Sequence, residues 1–364
     1  MKIPPFKQLT TEQKEAYTIP AEGMHLISGP PGTGKTIVGI YRAQRMNKMN
    51  HHTLFITHSR LLTAYNIGGI DELGIDGIAT TYHSWTWRFY RRNYHHKPPQ
   101  IQDYVFDWNA ILMKVLKQKP SEVTIPHVIL DEAQDLPKEF FQVIKYMSKS
   151  LTVFADENQR ITEINCTLDD IKSCAQIDDS NHNILEINFR NTREIAEVSK
   201  SFYTGLPSGI PDIPKRSGPK PRILKIPNFN DNIEKIRYYE NNYQEYSVGV
   251  LLKTLNRMDK YYRSLNGRTK NEVEIYKNTD ESVMVDFDKP GIKLLSYASA
   301  KGLEFDLLFL PELENFCHSI DDEARMLMYT LTSRAREELM MMYSSQNMPE
   351  ILKDIPKEKI IVEN

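Results

Sequence analysis

The chain has 364 residues, of which 40% are hydrophobic and 26% are charged, the balance of an ordinary globular protein of about two domains. Its formal net charge of −2 argues against a protein that coats nucleic acid through bulk charge. No apolar run is long enough to cross a bilayer, no secretory signal is visible, and the spacing of the three cysteines matches neither a disulfide framework nor a zinc site, so we expect a cytoplasmic protein without a membrane partner.

In the first half of the chain, short β-rich runs alternate with helical patterns, which is typical of a parallel sheet covered by helices. The predicted strands are residues 25–28, 53–57, 77–81, 127–131, 151–156 and 184–187, and the predicted helices are 35–49, 59–65 and 137–148. We therefore predict an α/β domain over residues 1–186, with a reduced insertion around 89–125.

A proline-rich stretch, 207–227, is predicted to be a loop, and the alternating pattern resumes after it. Asn191, with Glu194 three residues later, is interpreted as the N-cap that opens the first helix of this half. Further helices are predicted at 230–239 and 321–338, and strands at 246–252, 292–297, 306–310 and 339–343. This pattern predicts a second α/β domain over 187–364, with a reduced insertion around 255–290.

The sequence GPPGTGKT, residues 29–36, follows a predicted strand and precedes a predicted helix, which is the context of a phosphate-binding loop. Glycines allow the backbone N–H groups to face an anion at a helix N-terminus, and the lysine and threonine of such a loop meet the terminal phosphates and Mg²⁺. The alternative is a glycine-rich surface turn. The residues predicted to bind nucleotide here are Gly29, Gly32, Thr33, Gly34, Lys35 and Thr36.

The sequence HVILDEAQD, residues 127–135, supplies the complementary acids at the end of an apolar strand. Asp131 is predicted to hold Mg²⁺ beside the loop, and Glu132 is predicted to orient the attacking water as a general base. A solvated acidic turn is the alternative for this segment. Small-molecule kinases carry the same phosphate loop, but a kinase does not need a second α/β domain with its own arginines.

These residues resemble the UvrD/Rep-type superfamily 1 helicases, for which DEAQD is a specific feature. The resemblance implies that Gln13 contacts adenine and that Gln159, in VFADENQRI, senses the γ-phosphate. It also implies that THSRLLTAY and TTYHSWTWR, residues 57–65 and 80–88, contact a single strand. Thr57 begins the first of these two segments.

In LEINFRNT, residues 185–192, the resemblance places Phe189 on adenine and Arg190 on the γ-phosphate. SYASAKGLEFD, residues 296–306, is similar to the family's coupling motif, with Gly302 and Glu304 at the nucleotide, and YTLTSRARE, residues 329–337, places Arg334 as an arginine finger. The resemblance thus implies two RecA-like P-loop domains with parallel central sheets and an ATP cleft between them. Surface salt bridges are the alternative for the two arginines.

The stretch 81–97 interleaves aromatic and basic residues densely, as a surface for single strands does. His83, Trp85 and Arg88 are its candidate contacts, although its aromatics could equally pack into the core. A second basic run, 257–270, could flank the same groove or be an exposed amphipathic helix.

Three departures from the family set the functional expectation. Ile161 and Thr162 stand where a stacking aromatic is usual, Ala298 stands where a histidine is common, and both insertions are small. We expect a Mg-ATP-dependent translocase or helicase core on single-stranded nucleic acid, with DNA favoured over RNA and with 3′-to-5′ movement implied by resemblance only. The alternative is an ATP-gated regulatory subunit that controls a partner such as a nuclease without unwinding.

Overall fold

The computed structural model describes residues 3–75, 79–118, 120, 125–156, 166–205, 209–277, 285–287, 289–317 and 319–363. The chain divides into two compact units, Met1–Pro30 with Gly34–Glu186, and Pro31–Thr33 with Ile187–Asn364. Both units are α/β and contain a large parallel sheet, as the alternating pattern of the sequence predicts. In the described part of the chain, no helix combines the length and the apolar character needed to span a membrane.

The first unit contains strands β1 to β8 and helices α1 to α7. The strands are β1 (Gly23–Ser28), β2 (Thr53–Thr57), β3 (Ala79–Thr81), β4 (Gln100–Gln102), β5 (Val105–Phe106), β6 (Ile125–Asp131), β7 (Ser148–Ala155) and β8 (His182–Ile184). The helices are α1 (Thr11–Thr18), α2 (Lys35–Lys48), α3 (Arg60–Glu72), α4 (Tyr82–Tyr94), α5 (Trp108–Lys117), α6 (Lys138–Met147) and α7 (Leu168–Ala175).

Six of these strands form one parallel sheet in the order β3-β2-β6-β7-β1-β8, while β4 and β5 form a separate antiparallel hairpin. β7 pairs with both β1 and β6, so the segments that follow β1, β6 and β7 leave the same edge of the sheet. In open parallel sheets, ligands bind outside this carboxyl edge. The glycine-rich loop follows β1 and the acidic segment follows β6, so the topology brings the two predicted halves of the site to one edge.

The second unit contains the remaining elements, in chain order α8 (Arg193–Lys200), β9 (Arg222–Lys225), α9 (Phe229–Asn242), β10 (Ser247–Leu252), α10 (Leu255–Leu265), β11 (Val273–Ile275), β12 (Gly291–Ser296), β13 (Phe305–Leu310), α11 (Asp322–Thr332), β14 (Ala335–Tyr343) and β15 (Ile361–Glu363). Its seven strands form a parallel sheet in the order β11-β12-β10-β13-β14-β9-β15. The buried aliphatic faces of β10, β12 and β13 form the core beneath α9 and α10.

Three predictions for this half are wrong. The N-cap of α8 is Thr192, whose hydroxyl accepts from Ile195 N, because the Asn191 side chain is used in another contact. The predicted helix 321–338 ends at Thr332, and β14 begins at Ala335. The predicted loop 207–227 contains β9, which lies between two other strands. Prolines on both sides of this short run obscured its strand pattern.

Candidate nucleotide site

The loop between β1 and α2 has the tight backbone that glycine permits. Gly32 and Gly34 have φ of 89° and 80°, in the left-handed region where side chains are strained. A Cβ on Gly34 would lie 2.5 Å from Nε2 of Gln13, and one on Gly32 would lie 2.7 Å from Oδ1 of Asn188. Both glycines are therefore required by conformation and by close approach.

Lys35, the first residue of α2, is held inside the loop. Its Nζ donates to the carbonyl oxygens of Gly29 at 2.6 Å and Pro30 at 3.2 Å, and it lies 3.5 Å from Oδ2 of Asp156. The lysine is 6% exposed and Asp156 is fully buried. These contacts fix the Lys35 ammonium at the loop, although its side chain is intrinsically flexible. There it can bind an entering phosphate as a point charge.

Thr36 and Asp131 form the second part of the site. Thr36 Oγ1 donates to Oδ2 of Asp131 at 2.9 Å, and Nδ2 of Asn66 lies 3.4 Å from the same oxygen. The other carboxylate oxygen, Oδ1, is buried and has no hydrogen-bond partner among the described residues. A hydroxyl and an unsatisfied carboxylate oxygen are hard ligands of the kind that Mg²⁺ takes together with phosphate oxygens. These residues fit a magnesium ion.

The electrostatics of Asp131 point the same way. Burial raises the pKa of Asp131 above the ordinary carboxyl range, and the nearby charge of Glu132 raises it further. The hydrogen bond from Thr36 opposes this increase. A buried carboxylate in this state is stabilised by a cation, which reverses the local pKa effect. In the described residues, no cluster of three or more His, Cys, Asp or Glu could hold a metal ion, so a metal here would share its shell with phosphate and water.

Glu132 has an unusual backbone conformation. Its φ of 50° lies in the left-handed region, where a non-glycine residue carries strain, and strain of this kind is frequent at functional sites. Gln134 fixes the carboxylate, since its Nε2 donates to Oε2 of Glu132 at 2.5 Å and its Oε1 accepts from Asp156 N at 2.9 Å. The fully buried Gln134 therefore connects the ends of β6 and β7.

Gln13, the predicted adenine contact, lies on α1 beside the loop. Its Oε1 accepts from Thr10 N at 2.9 Å and its backbone N donates to the Thr10 hydroxyl, so the two residues form a capping box. The fully buried Arg42 of α2 donates to the carbonyls of Ile19 and Pro20, just beyond the carboxyl end of α1. Helix α1 is thus fixed at both ends, which holds the glutamine against Gly34.

Arg190 is held by an acidic neighbour. Its Nε donates to Oε2 of Glu304 at 2.6 Å, while its Nη1 is buried without a hydrogen-bond partner in the described residues. The backbone N–H groups of Phe189 and Arg190 both donate to the Gly32 carbonyl, at 2.7 and 3.2 Å. Nη1 of Arg190 is therefore available to donate to a ligand. The backbone of Arg190 is hydrogen-bonded to Gly32, one of the loop residues that belong to the second unit.

Arg334 is almost fully buried in the turn between α11 and β14. Its Nε donates to Thr330 O at 2.9 Å and its Nη1 to Leu303 O at 3.4 Å, so it contacts the segment that carries Gly302 and Glu304. Gly302 has a φ of 75°, which that segment requires for its turn. Within the second unit, the predicted nucleotide residues of the two motifs are thus neighbours.

Asn191 connects the two predicted arginine segments. Its Nδ2 donates to the carbonyls of Ser333 at 3.1 Å and Ala335 at 2.6 Å, on either side of Arg334. Its Oδ1 accepts from Nδ2 of Asn188, and Oδ1 of Asn188 accepts from the backbone N of Arg190. One buried amide pair therefore sets the backbone of both arginines.

Replacing Asn191 with alanine is expected to lower the turnover number for ATP by roughly 10- to 100-fold, because small misplacements of catalytic groups have effects of this size. It is also expected to destabilise the protein by about 1–3 kcal/mol, since two buried carbonyls lose their donor. Steady-state ATP turnover and thermal unfolding measure the two effects. Asn228→Ala, which removes the N-cap of α9, is the control that should lower stability alone.

The residues predicted to contact a strand lie in different environments. Thr57 is fully buried, and its hydroxyl lies 2.6 Å from that of Thr63. Trp85 is 7% exposed and stacks on Phe89 with ring centroids 4.9 Å apart, so the core alternative describes its position. Their role in strand binding stays a prediction.

His83 and Arg88 are more accessible members of the same helix. His83 is half-buried with its ring 4.5 Å from that of Phe106, and burial lowers its pKa, so the ring is neutral at pH 7. Arg88 is exposed, and its Nη2 donates to Thr80 Oγ1 at 2.6 Å. Gln159, Ile161 and Thr162 lie outside the described residues.

Sequence reasoning missed several residues of this site. Gln134 and Asp156 lie inside quoted motifs, and their buried side chains hold Glu132 and Lys35 in place. Asn66 is a fully buried polar residue in the middle of α3, and its Nδ2 donates to Oδ2 of Asp131. A polar residue on the core face of a helix is the signal that could have identified it.

Comparison with known proteins gives a family match for part of the chain. Residues 13–165 match the family model of an AAA domain, and this range contains the glycine-rich loop, Asp131 and Glu132. No curated protein matches the chain. Among solved structures, it is similar to the C-terminal domain of a possible DNA helicase from Lactobacillus plantarum WCFS1, with 21% identity over 48% of this chain and 97% of that chain and a TM-score of 0.37. That TM-score is too low to establish a shared fold.

Proposed function

We propose that the chain is a Mg-ATP-dependent translocase or helicase core that moves on single-stranded nucleic acid. The observation that carries the proposal is the group at the carboxyl edge of the first sheet, where Lys35 lies in the loop and Thr36 Oγ1 lies 2.9 Å from Asp131. The match of residues 13–165 to an AAA domain supports nucleotide binding.

The chemistry required for hydrolysis is distributed among a few side chains. Thr36 and Asp131 would hold Mg²⁺, which neutralises charge that develops on the phosphates. Lys35 binds the terminal phosphates, and Glu132, oriented by Gln134, accepts a proton from the attacking water. Nη1 of Arg190, which has no hydrogen-bond partner among the described residues, is suited to a phosphate oxygen, because guanidinium groups make strong charge-assisted hydrogen bonds.

Movement on a strand is the finer part of the proposal, together with DNA as the preferred strand and a 3′-to-5′ direction. It is supported by the exposed basic residues of α4 and by the resemblance of the ordered motifs to UvrD/Rep-type helicases. ATP hydrolysis that changes the conformation of the protein is the expected source of steps. The predicted site residues are distributed over both units, and the resemblance implies that both take part.

The experiment is ATP turnover by the purified protein with and without single-stranded DNA or RNA oligonucleotides. We expect single-stranded DNA to accelerate turnover severalfold, and RNA to do so less. A second assay, ATP-dependent displacement of streptavidin from the biotinylated 5′ end of an oligonucleotide, reports movement toward that end. A turnover rate that no nucleic acid changes would contradict the proposal.

A second candidate function is an ATP-gated regulatory subunit that controls a partner such as a nuclease. The buried positions of Thr57 and Trp85 favour it, since neither side chain is accessible for stacking or donation to a strand. This candidate predicts nucleotide binding with turnover that is indifferent to nucleic acid. The same turnover experiment therefore distinguishes the two functions.

A further inference from the structure

Strands β13 and β14 lose their regular pairing near their first residues. Two residues of β14, Arg336 and Glu337, stand opposite a single residue of β13, Asp306. This two-to-one arrangement is that of a β-bulge, a feature that is frequent beside active sites because it changes the direction of a side chain. The bulge follows Arg334 by two residues, so it lies next to the arginine for which the resemblance implies a role at the nucleotide.

The bulge is held in place by Arg216. Nη1 of Arg216 pairs with the carboxylate of Glu337, and its Nη2 donates to the carbonyl oxygen of Arg336 at 2.7 Å. The same Nη2 also donates to the carbonyl oxygen of Arg190. One guanidinium therefore connects the backbone that carries Arg190 with the backbone that carries Arg336.

The side chain of Arg336 lies between two carboxylates. Its Nη1 is 3.8 Å from Oε1 of Glu304 and 3.6 Å from Oδ1 of Asp306. Both separations allow electrostatic attraction but are longer than a hydrogen bond. The other oxygen of Asp306 accepts from the backbone N and the hydroxyl of Ser247, at 3.0 and 3.1 Å. Because these charged side chains are mostly buried, their attraction is screened less than that of fully exposed charges.

Glu304 is consequently shared by two arginines. Its Oε2 accepts from Nε of Arg190 at 2.6 Å, while its Oε1 is the oxygen that lies nearest Nη1 of Arg336. Arginine and carboxylate groups frequently pair through two parallel hydrogen bonds. Arg190 and Glu304 are joined by one, and Nη1 of Arg190 has no hydrogen-bond partner in the described part of the chain.

We propose that Arg336 is a positioning residue for ATP hydrolysis and that it acts on Arg190 through Glu304. By attracting Oε1, Arg336 limits Glu304 to a single hydrogen bond with Arg190, so that Arg190 keeps Nη1 and much of its charge for the γ-phosphate. Without Arg336, both oxygens of Glu304 would pair with Arg190 and neutralise it. The inference rests on the proposed function and adds to it a residue to which the resemblance gives no role.

The test is calorimetric titration of the full chain and of Arg336→Gln, in the presence of Mg²⁺, with the non-hydrolysable ATP analogue AMP-PNP and with ADP. The variant should bind AMP-PNP roughly three- to tenfold more weakly, the coupling expected between members of one ion-pair network. Its affinity for ADP should be unchanged, because ADP has no γ-phosphate. The turnover number for ATP should fall as well, whereas a purely structural role of Arg336 would weaken both nucleotides equally.

A double substitution tests whether the effect passes through Glu304. In a Glu304→Gln background, residue 304 has one oxygen and no charge, so the further change Arg336→Gln should have little effect on AMP-PNP affinity. Arg336→Lys keeps the positive charge and should retain most of the affinity. The control is Arg325→Gln, since Arg325 forms a similarly exposed ion pair with Asp354 on the same unit and should affect neither nucleotide.

The outcomes separate this inference from the proposed function. Equal losses for AMP-PNP and ADP in Arg336→Gln, or losses that add independently to those of Glu304→Gln, would overturn the inference alone if single strands stimulate turnover of the parent protein. A parent protein that binds no nucleotide would overturn both. A selective loss of AMP-PNP affinity beside turnover that is indifferent to nucleic acid would support the role of Arg336 and contradict movement on a strand.

Discussion

Glu132→Gln is expected to lower the turnover number for ATP by roughly 10²- to 10⁴-fold, the range that a positioned general base contributes. The amide has nearly the shape of the carboxylate but cannot accept a proton from water. Gln134 can keep its hydrogen bond to the side-chain oxygen, so the strained backbone at this position should persist. Affinity for ATP should be nearly unchanged, because Lys35, Thr36 and Asp131 remain.

The control is Glu139→Gln, the same chemical change in the first turn of α6, which should leave turnover unchanged. Pre-steady-state measurement of phosphate release separates the chemical step from product release. Turnover that stays within a few-fold of the parent value in the Glu132 variant would show that another group is the base.

Lys35→Ala is expected to lower ATP turnover by at least about 10²-fold, comparable with the loss of one donor to a developing oxyanion. Unlike the glutamate variant, it should also weaken ATP binding, because the ammonium is the charge fixed inside the loop. Stability should fall as well, since fully buried Asp156 loses a cation 3.5 Å away. Thermal unfolding of the variant measures that effect separately from turnover.

Lys35→Arg is the matched variant for charge. Its planar guanidinium keeps the positive charge near Asp156 but cannot occupy the geometry of an ammonium that binds two adjacent carbonyls. It should restore stability without restoring turnover. Wild-type turnover in either variant would show that Lys35 does not bind the phosphates of ATP.

The positions of the central strands could be predicted from the sequence, because buried parallel strands are continuous aliphatic runs bounded by turn residues. The run at 53–57 agrees with β2 at both ends, and those at 246–252 and 306–310 agree with β10 and β13 to within a residue. Short strands such as β9 and β15 could not be found, because three or four residues carry too little pattern. The helix over 321–338 was too long because residues 333–338, SRAREE, consist mostly of good helix formers although β14 begins among them.

The parts of the candidate site that follow local sequence motifs were predictable. Gly34 must have a left-handed backbone, and an acid after β6 must lie at the same sheet edge as the loop after β1. Contacts between distant segments were not predictable. Asn191 was interpreted as a helix N-cap, the commonest use of that residue, but its amide binds carbonyls more than 140 residues away.

The strand surface was the least predictable feature. An interleaved aromatic and basic stretch has two uses, and α4 combines them, since Trp85 and Phe89 face the core while Arg88, Arg91 and Arg92 face solvent. Amphipathic periodicity separates the two faces only after the helix has been placed against its sheet. Which exposed cations meet a strand depends on charge compensation by carboxylates that are distant in the sequence.

The central claim is that the glycine-rich loop holds the triphosphate of ATP beside Thr36 and Asp131. Its most direct test is calorimetric titration of the parent protein and of Lys35→Ala with Mg-ATP under identical conditions. We expect a single saturable site in the parent and an affinity at least about tenfold weaker, about 1.4 kcal/mol, in the variant. Equal affinity and equal stoichiometry in the two proteins would contradict it.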